Sequence, residues 1–214
     1  MFTIIGSKGN LGSLLMKIFP GSSGIDRDNV ESTQKYLSKS DYAFLAVPLN
    51  EEKKIISENT AFNGFIDLSS VKSEVTEYKN KLISIHPLFG PLSYGKIKDI
   101  IFINDISYSG SFDIVKQLFP GYNIIEMTAD EHDKLIAEIM VKPYIFSYIS
   151  TANSSNIRTN SYNKYLEIYN IKKEENPDIF LNTVVLNKYT SDIINEISGN
   201  LEGLKRLIKD RGRG

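Results

Sequence analysis

Residues Met1-Phe-Thr-Ile-Ile-Gly-Ser-Lys-Gly-Asn-Leu-Gly-Ser-Leu-Leu15 constrain the fold more than any other stretch of the chain. Phe2, Ile4 and Ile5 read as a short buried strand, and Leu14, Leu15 and Ile18 recur at helical spacing. Between them stand Gly6, Gly9 and Gly12, with Ser7, Lys8, Asn10 and Leu11 in the gaps. A glycine removes a Cβ where main chain must come close to another group, and the N–H groups opening the helix face an anion with the positive end of the helix dipole behind them. The spacing is Gly-x-x-Gly-x-x-Gly, so Ser7 sits where the commoner G-x-G-x-x-G pattern often has a glycine. An isolated triplet of this kind is also an ordinary tight turn. Here it follows a strand, opens a helix and is followed by an acid, Asp26, after a possible second strand at 22–25, which is the arrangement of a dinucleotide pyrophosphate cradle. Asp26 suits the ribose hydroxyls of NAD, whereas the adjacent Arg27 suits a 2′-phosphate, so NAD is favoured and NADP stays open.

The rest of the first half repeats the strand-and-helix texture. Residues 28–40 are polar and helical around Val30 and Leu37. The run Asp41 to Pro48 reads as a central parallel strand whose end, Val47 and Pro48, borders the cofactor crevice. A return helix is expected at 51–59, then strands at 65–71, 82–85, 100–103 and 124–127. Phe19-Pro20-Gly21 and Phe119-Pro120-Gly121 share one helix-stop chemistry and do not mark a repeat. The pattern predicts an α/β, Rossmann-type, mostly parallel sheet over residues 1–127 with helices on both faces.

At Thr128 the texture changes. Thr128-Ala-Asp-Glu131 is a capping box, and Leu135, Ile136, Ile139, Met140, Phe146 and Ile149 follow at helical spacing, with a kink expected at Pro143. Residues 151–160 read as a loop and 162–171 as a helix. Asn176-Pro177 caps another helix, expected to end at Gly199 before a last short one at 201–208. Residues 128–214 therefore read as an all-helical domain. Its many apolar positions fit a homodimer interface, or else an intramolecular core.

Composition narrows the function classes. The formal net charge of −1 gives no support for a nucleic-acid or membrane-surface partner, and the basic tail through Arg213 is interleaved with Glu202 and Asp210. There are no cysteines and only two histidines, His86 and His132, so no metal centre is expected. No apolar run is long enough to span a bilayer. The N-terminus enters a strand directly, and a cytoplasmic protein is expected.

Two stretches fall just past the carboxyl ends of strands, where catalytic groups gather in a parallel sheet. Asp67-Leu-Ser-Ser-Val-Lys72 brings Ser70 and Lys72 to the crevice. Ile85-His-Pro-Leu-Phe-Gly-Pro91 brings His86, whose imidazole can take a hydroxyl proton at neutral pH while a hydride leaves the same carbon. Taken singly, His86 could also be a structural histidine, Ser70 a helix cap and Lys72 a solvated charge.

Together these stretches resemble prephenate dehydrogenases. The glycine turn, Asp67 to Lys72, His86-Pro-Leu-Phe-Gly-Pro91, Glu131-His132-Asp133 and Asn176-Pro-Asp-Ile-Phe180 occur in that family's order over about residues 1–190. The resemblance implies a Rossmann domain, a helical substrate and dimerisation domain, a nicotinamide cofactor and oxidative decarboxylation of prephenate to 4-hydroxyphenylpyruvate. By the same resemblance His86 matches the base, Ser70 a hydroxyl near the reacting ring, and His132 a residue of the substrate pocket. The family's arginine after the tyrosine matching Tyr162 is replaced by Asn163-Lys164, so Arg158 or Lys164, with Lys72, are the cations left to hold substrate carboxylates. A histidine the family often has after the proline matching Pro143 is Tyr144 here. An arogenate dehydrogenase, another NAD(P)-dependent reductase, and a non-catalytic dinucleotide sensor remain as alternatives.

Overall fold

A computed structural model describes residues 1–152 and 156–211. Seven strands form one sheet: β1 (Phe2–Ile5), β2 (Ser23–Ile25), β3 (Tyr42–Leu45), β4 (Phe65–Asp67), β5 (Ile83–Pro87), β6 (Asp99–Ile103) and β7 (Asn123–Met127), in the order β2-β1-β3-β4-β5-β6-β7. The first five run parallel, β6 is antiparallel to β5, and β7 is parallel to β6. Every residue of β4 and β5 is buried, as expected of strands covered on both faces. The chain leaves β1 toward β2 and returns past it to β3, so the topological switch lies between β1 and β3, where open α/β sheets bind their ligands.

The expected strand at 65–71 stops at Asp67. The Asp67 carboxylate accepts the Ser69 N–H at 2.7 Å, a local turn that competes with continuing the ladder. Helix α1 (Asn10–Ile18), the short α2 (Thr33–Leu37), α3 (Leu49–Glu58) and α4 (Ser111–Leu118) connect the strands. α1 and α4 end alike: Gly21 and Gly121 take left-handed φ of 86° and 80°, and the preceding Phe19 and Phe119 turn inward to meet edge to face at 5.4 Å.

The chain divides into two compact units, residues 1–132 and 133–214, so the break falls inside α5 (Ala129–Ile136) and His132 stays with the sheet. The capping box forms: Glu131 N–H donates to Thr128 Oγ1, while the Glu131 carboxylate accepts from Thr128 N at 2.8 Å. Beyond α5 the helical path widens into a π turn, Ala137–Val141, before α6 (Lys142–Ile149) carries Pro143 in its first turn. A widened turn is how a helix accommodates a ring that cannot donate to the preceding turn.

α7 (Asn160–Glu174) starts earlier than the apolar pattern suggests, because Thr159 Oγ1 accepts the Tyr162 N–H. The preceding Ser- and Asn-rich stretch includes residues 153–155, which lie outside the described residues, as does Arg213. α8 (Pro177–Leu186) carries the expected Asn176 cap, bonded from Asp178 N–H at 2.8 Å. Two expectations fail here. The helix breaks at Asn187, whose Nδ2 donates to the Asp133 carbonyl and whose Oδ1 accepts from Tyr189 N–H. Gly199 then sits inside a continuous α9 (Thr190–Arg211) together with Gly203, since each glycine costs only about 1 kcal/mol in a helix of 22 residues. Among the described residues no helix is long and apolar enough to cross a membrane.

Candidate active site

The glycine turn is built around contacts that leave no room for side chains. Gly6 has a φ of 85°, and a Cβ there would stand 2.2 Å from the Ala46 carbonyl oxygen and 2.9 Å from Val47 Cγ1. A Cβ on Gly12 would stand 1.9 Å from the Gly6 carbonyl oxygen. These two glycines let the β1–α1 turn press against the end of β3, which closes the switch point. Gly9 is different: an added Cβ would meet only the Gly6 carbonyl, at 3.3 Å, so its outer side is open. Gly9 caps α1 without any side-chain bond, which leaves the N–H groups of Asn10, Leu11 and Gly12 at an uncapped helix start.

Around this turn the polar residues are held but accessible. Asp26, at the end of β2, accepts from the Lys8 N–H at 2.8 Å and the Arg27 N–H at 2.9 Å. Asn29 receives the Asp26 N–H and donates back to the Gly24 carbonyl, which fixes the acid in place. Lys8 Nζ reaches Asp28 at 2.6 Å across an exposed surface. Arg27 is exposed, and Pro48 forms the N-cap of α3.

Three strands along from β1, the chemistry-bearing groups are enclosed. His86, in β5, is buried, and its Nδ1 lies 2.9 Å from Nε2 of His132. Only one proton fits between two ring nitrogens. When His86 supplies it, His86 Nε2 keeps its lone pair and is the free base. Burial, then the neighbouring His132, then the Lys72 charge all push the His86 imidazole well below its ordinary value, so it is neutral at physiological pH.

Lys72, expected at the substrate, instead points inward. Its Nζ donates to Asp67 Oδ2 at 2.7 Å and to the Ile85 carbonyl at 2.8 Å, and both charged side chains are fully buried. Asp67 Oδ2 also accepts from Ser84 Oγ at 2.6 Å. Burial alone would raise the Asp67 carboxyl, but the Lys72 charge with the bonds from Lys72, Ser69 and Ser84 outweighs it and holds the group below its usual value. Lys72 thus ties the Asp67–Lys72 loop to the residue preceding His86. Ser70 lies half-buried on that loop, and the 3-10 helix that follows, Ser73–Tyr78, takes Lys72 as its N-cap, so Ser70 is not its cap.

Arg158 and Lys164 belong to the second unit and are both exposed; the Arg158 guanidinium stands over the Tyr162 ring at 5.5 Å. Tyr144 is buried, stacked on Phe180 at 4.8 Å, and its hydroxyl donates to Glu175 at 2.9 Å. Among the described residues no group of three or more His, Asp or Glu is placed to hold a metal ion.

Sequence reasoning missed Glu52. It is fully buried on α3 together with Leu49 and Ile56. The signal was present: Leu49, Glu52 and Ile56 fall at i, i+3 and i+7, which puts an acid on the apolar stripe of its helix.

No protein-family model matches this chain, and no curated protein is similar to it in sequence. Solved structures do match. The chain superposes on a prephenate dehydrogenase from Aquifex aeolicus, in complex with hydroxyphenyl propionate and NAD+, with a TM-score of 0.74 at 15% identity, covering 100% of this chain and 92% of that one. A second Aquifex aeolicus prephenate dehydrogenase structure gives 0.68 at 16% identity, covering 99% and 92%. An arogenate dehydrogenase from Synechocystis gives 0.60 at 14%, covering 98% and 92%. At such identities the likeness speaks for architecture: the chain has the fold of the prephenate and arogenate dehydrogenases.

Proposed function

We propose that this chain is an NAD(P)-linked dehydrogenase that converts prephenate to 4-hydroxyphenylpyruvate. The observation that carries the reading is the buried His86–His132 pair at the carboxyl end of β5, on the same edge of the sheet as the glycine turn. The turn fits a dinucleotide: its uncapped helix start faces a pyrophosphate, Gly9 leaves the approach open, and Asp26 is aligned for ribose hydroxyls, which favours NAD. The Aquifex aeolicus protein of this fold holds NAD+ and hydroxyphenyl propionate, a phenolic acid close in shape to the expected product.

A dinucleotide held by the glycine turn and Asp26 would supply its nicotinamide as hydride acceptor. His86, neutral because it is buried beside another imidazole and a lysine, takes the ring hydroxyl proton on Nε2 as the hydride leaves the same carbon. His132 holds the His86 tautomer and ring plane. Ser70 offers a hydroxyl near the reacting ring. As carbon dioxide departs, the electrons of its carbon–carbon bond enter the ring, which becomes aromatic, and the ring oxygen takes the proton back from His86, so positioning and one base suffice.

Purified protein given prephenate or arogenate with NAD or NADP should reduce the nicotinamide, fastest with prephenate and NAD. Faster turnover of arogenate would reassign the substrate, and nucleotide binding without turnover of either would make the chain a sensor. The exposed Leu201, Leu204, Leu207 and Ile208 on α9, with Val185 on α8, favour a homodimer. Sedimentation at micromolar concentration should show twice the chain mass, and a monomer would reject it.

A further inference from the structure

Glu52 is a buried acid with no evident partner for its charge. Neither of its carboxyl oxygens touches solvent or receives a hydrogen bond. The group that faces it most strongly is a second carboxylate, Asp67; Lys72, Lys53 and the Tyr78 hydroxyl are the other ionisable groups around it. Two carboxylates are both acceptors and cannot bond unless one carries a proton. Asp67 already receives Lys72 Nζ, Ser84 Oγ and the Ser69 N–H, which fixes it as the ionised member. The proton therefore belongs to Glu52.

We propose that Glu52 is a positioning residue, a permanently neutral carboxylic acid whose O–H bonds to Asp67 and so completes the Glu52–Asp67–Lys72–Ile85 chain that seats and tunes His86. Burial, reinforced by the Asp67 charge, pushes the Glu52 carboxyl well above its ordinary value, and Lys72 and Lys53 only partly oppose this. With Glu52 neutral, the buried set carries one anion and one cation, and the Lys72 charge keeps acting on His86 to favour its unprotonated form. An ionised Glu52 would add a buried negative charge and draw His86 toward imidazolium. The arrangement deepens the proposed function, which it needs only for its kinetic readout.

Three proteins test it: wild type, Glu52→Gln and Glu52→Leu, each checked for folding by its thermal transition. The infrared spectrum of the wild type at neutral pH should contain a protonated-carboxyl band absent from Glu52→Gln. The chain has only two histidines, so nitrogen-edited NMR can follow the His86 titration without substrate. Glu52→Gln keeps a neutral donor of the same shape and should leave the His86 titration and kcat within about twofold of wild type. Glu52→Leu removes the donor, bares the Asp67 charge and should shift the His86 titration upward, with kcat falling roughly tenfold to a hundredfold, the scale of a small misplacement. A downward shift in Glu52→Gln would show that Glu52 was ionised, and an unshifted Glu52→Leu would show that it does not act on His86; either overturns the proposal. If Glu52→Leu does not fold, the infrared band and the Glu52→Gln titration still decide. If prephenate is not turned over at all, the spectroscopic outcomes stand apart from the failure of the proposed reaction.

Discussion

The two ends of the sheet's carboxyl edge handle charge in opposite ways. At the glycine turn Lys8, Asp28 and Arg27 are exposed, and their partners are exchangeable. Behind His86 the ionisable groups Asp67, Lys72 and His132 are buried with fixed partners, and Glu52 is buried beside them. A surface charge can recognise a passing anion cheaply but is screened by water and salt. A buried one acts strongly on its neighbours but must be assembled with its counter-group. The first end is suited to holding a ligand, the second to setting the protonation of one imidazole.

The contrast can be broken most sharply at His86. His86→Asn should lower kcat by roughly two to four orders of magnitude, the range for loss of a general base, with nucleotide affinity measured by fluorescence titration unchanged. Next comes Lys72→Met, which strands the buried Asp67 carboxylate and should destabilise the fold by about 3–5 kcal/mol in urea denaturation. A loss under 1 kcal/mol would mean the pair is not enclosed as described.

A third test uses pH. His86 titrates lower in the folded protein than in the unfolded chain, so between the folded value and about 6.5 the unfolded state binds more protons. Stability should therefore rise with pH through that window, by at most about 1.4 kcal/mol per unit from this group, and stop changing on its account above it. Denaturation midpoints taken from acid to neutral pH measure the slope, and a fall with rising pH would contradict a buried neutral imidazole. The smallest effect belongs to Lys8→Ala. Its exposed pair with Asp28 should leave the melting temperature unchanged, while nucleotide binding weakens by less than about tenfold at low salt and not at all at high salt. A salt-independent loss would place Lys8 inside the binding site proper.

Much of the first end was legible in the sequence, because local rules govern it. Gly12 is demanded by backbone contacts within one strand-turn-helix unit, and Asp26 follows at the usual distance, although the contact that demands Gly6 comes from Ala46 at the end of another strand. Strand order and the reversal at β6 were not legible, since pairing across a sheet depends on contacts far apart in the chain. The second end was half visible. Its motifs placed His86 and Ser70 at strand ends, yet Lys72 was expected to face a ligand, because nothing in Asp67 to Lys72 reveals that Ser84 and the Ile85 carbonyl wait on the next strand. Glu52 went unread for a related cause: its partner lies on another element, and polar residues on a helix are by default assigned to water. In the helical unit, Asn187 ended a helix that periodicity would have continued, by bonding to the Asp133 carbonyl in helix α5.

Phe19 and Phe119 end helices a hundred positions apart, yet their rings touch each other and both touch Phe44 in the central strand β3. The amino-terminal half-sheet and the late β6–β7 pair are thus clamped by a shared aromatic cluster. Unfolding of either half removes the other's seat, so the first 132 residues should exchange their slowest amides together, as one block, and a nucleotide bound at the glycine turn should slow exchange in β6 and β7 as well.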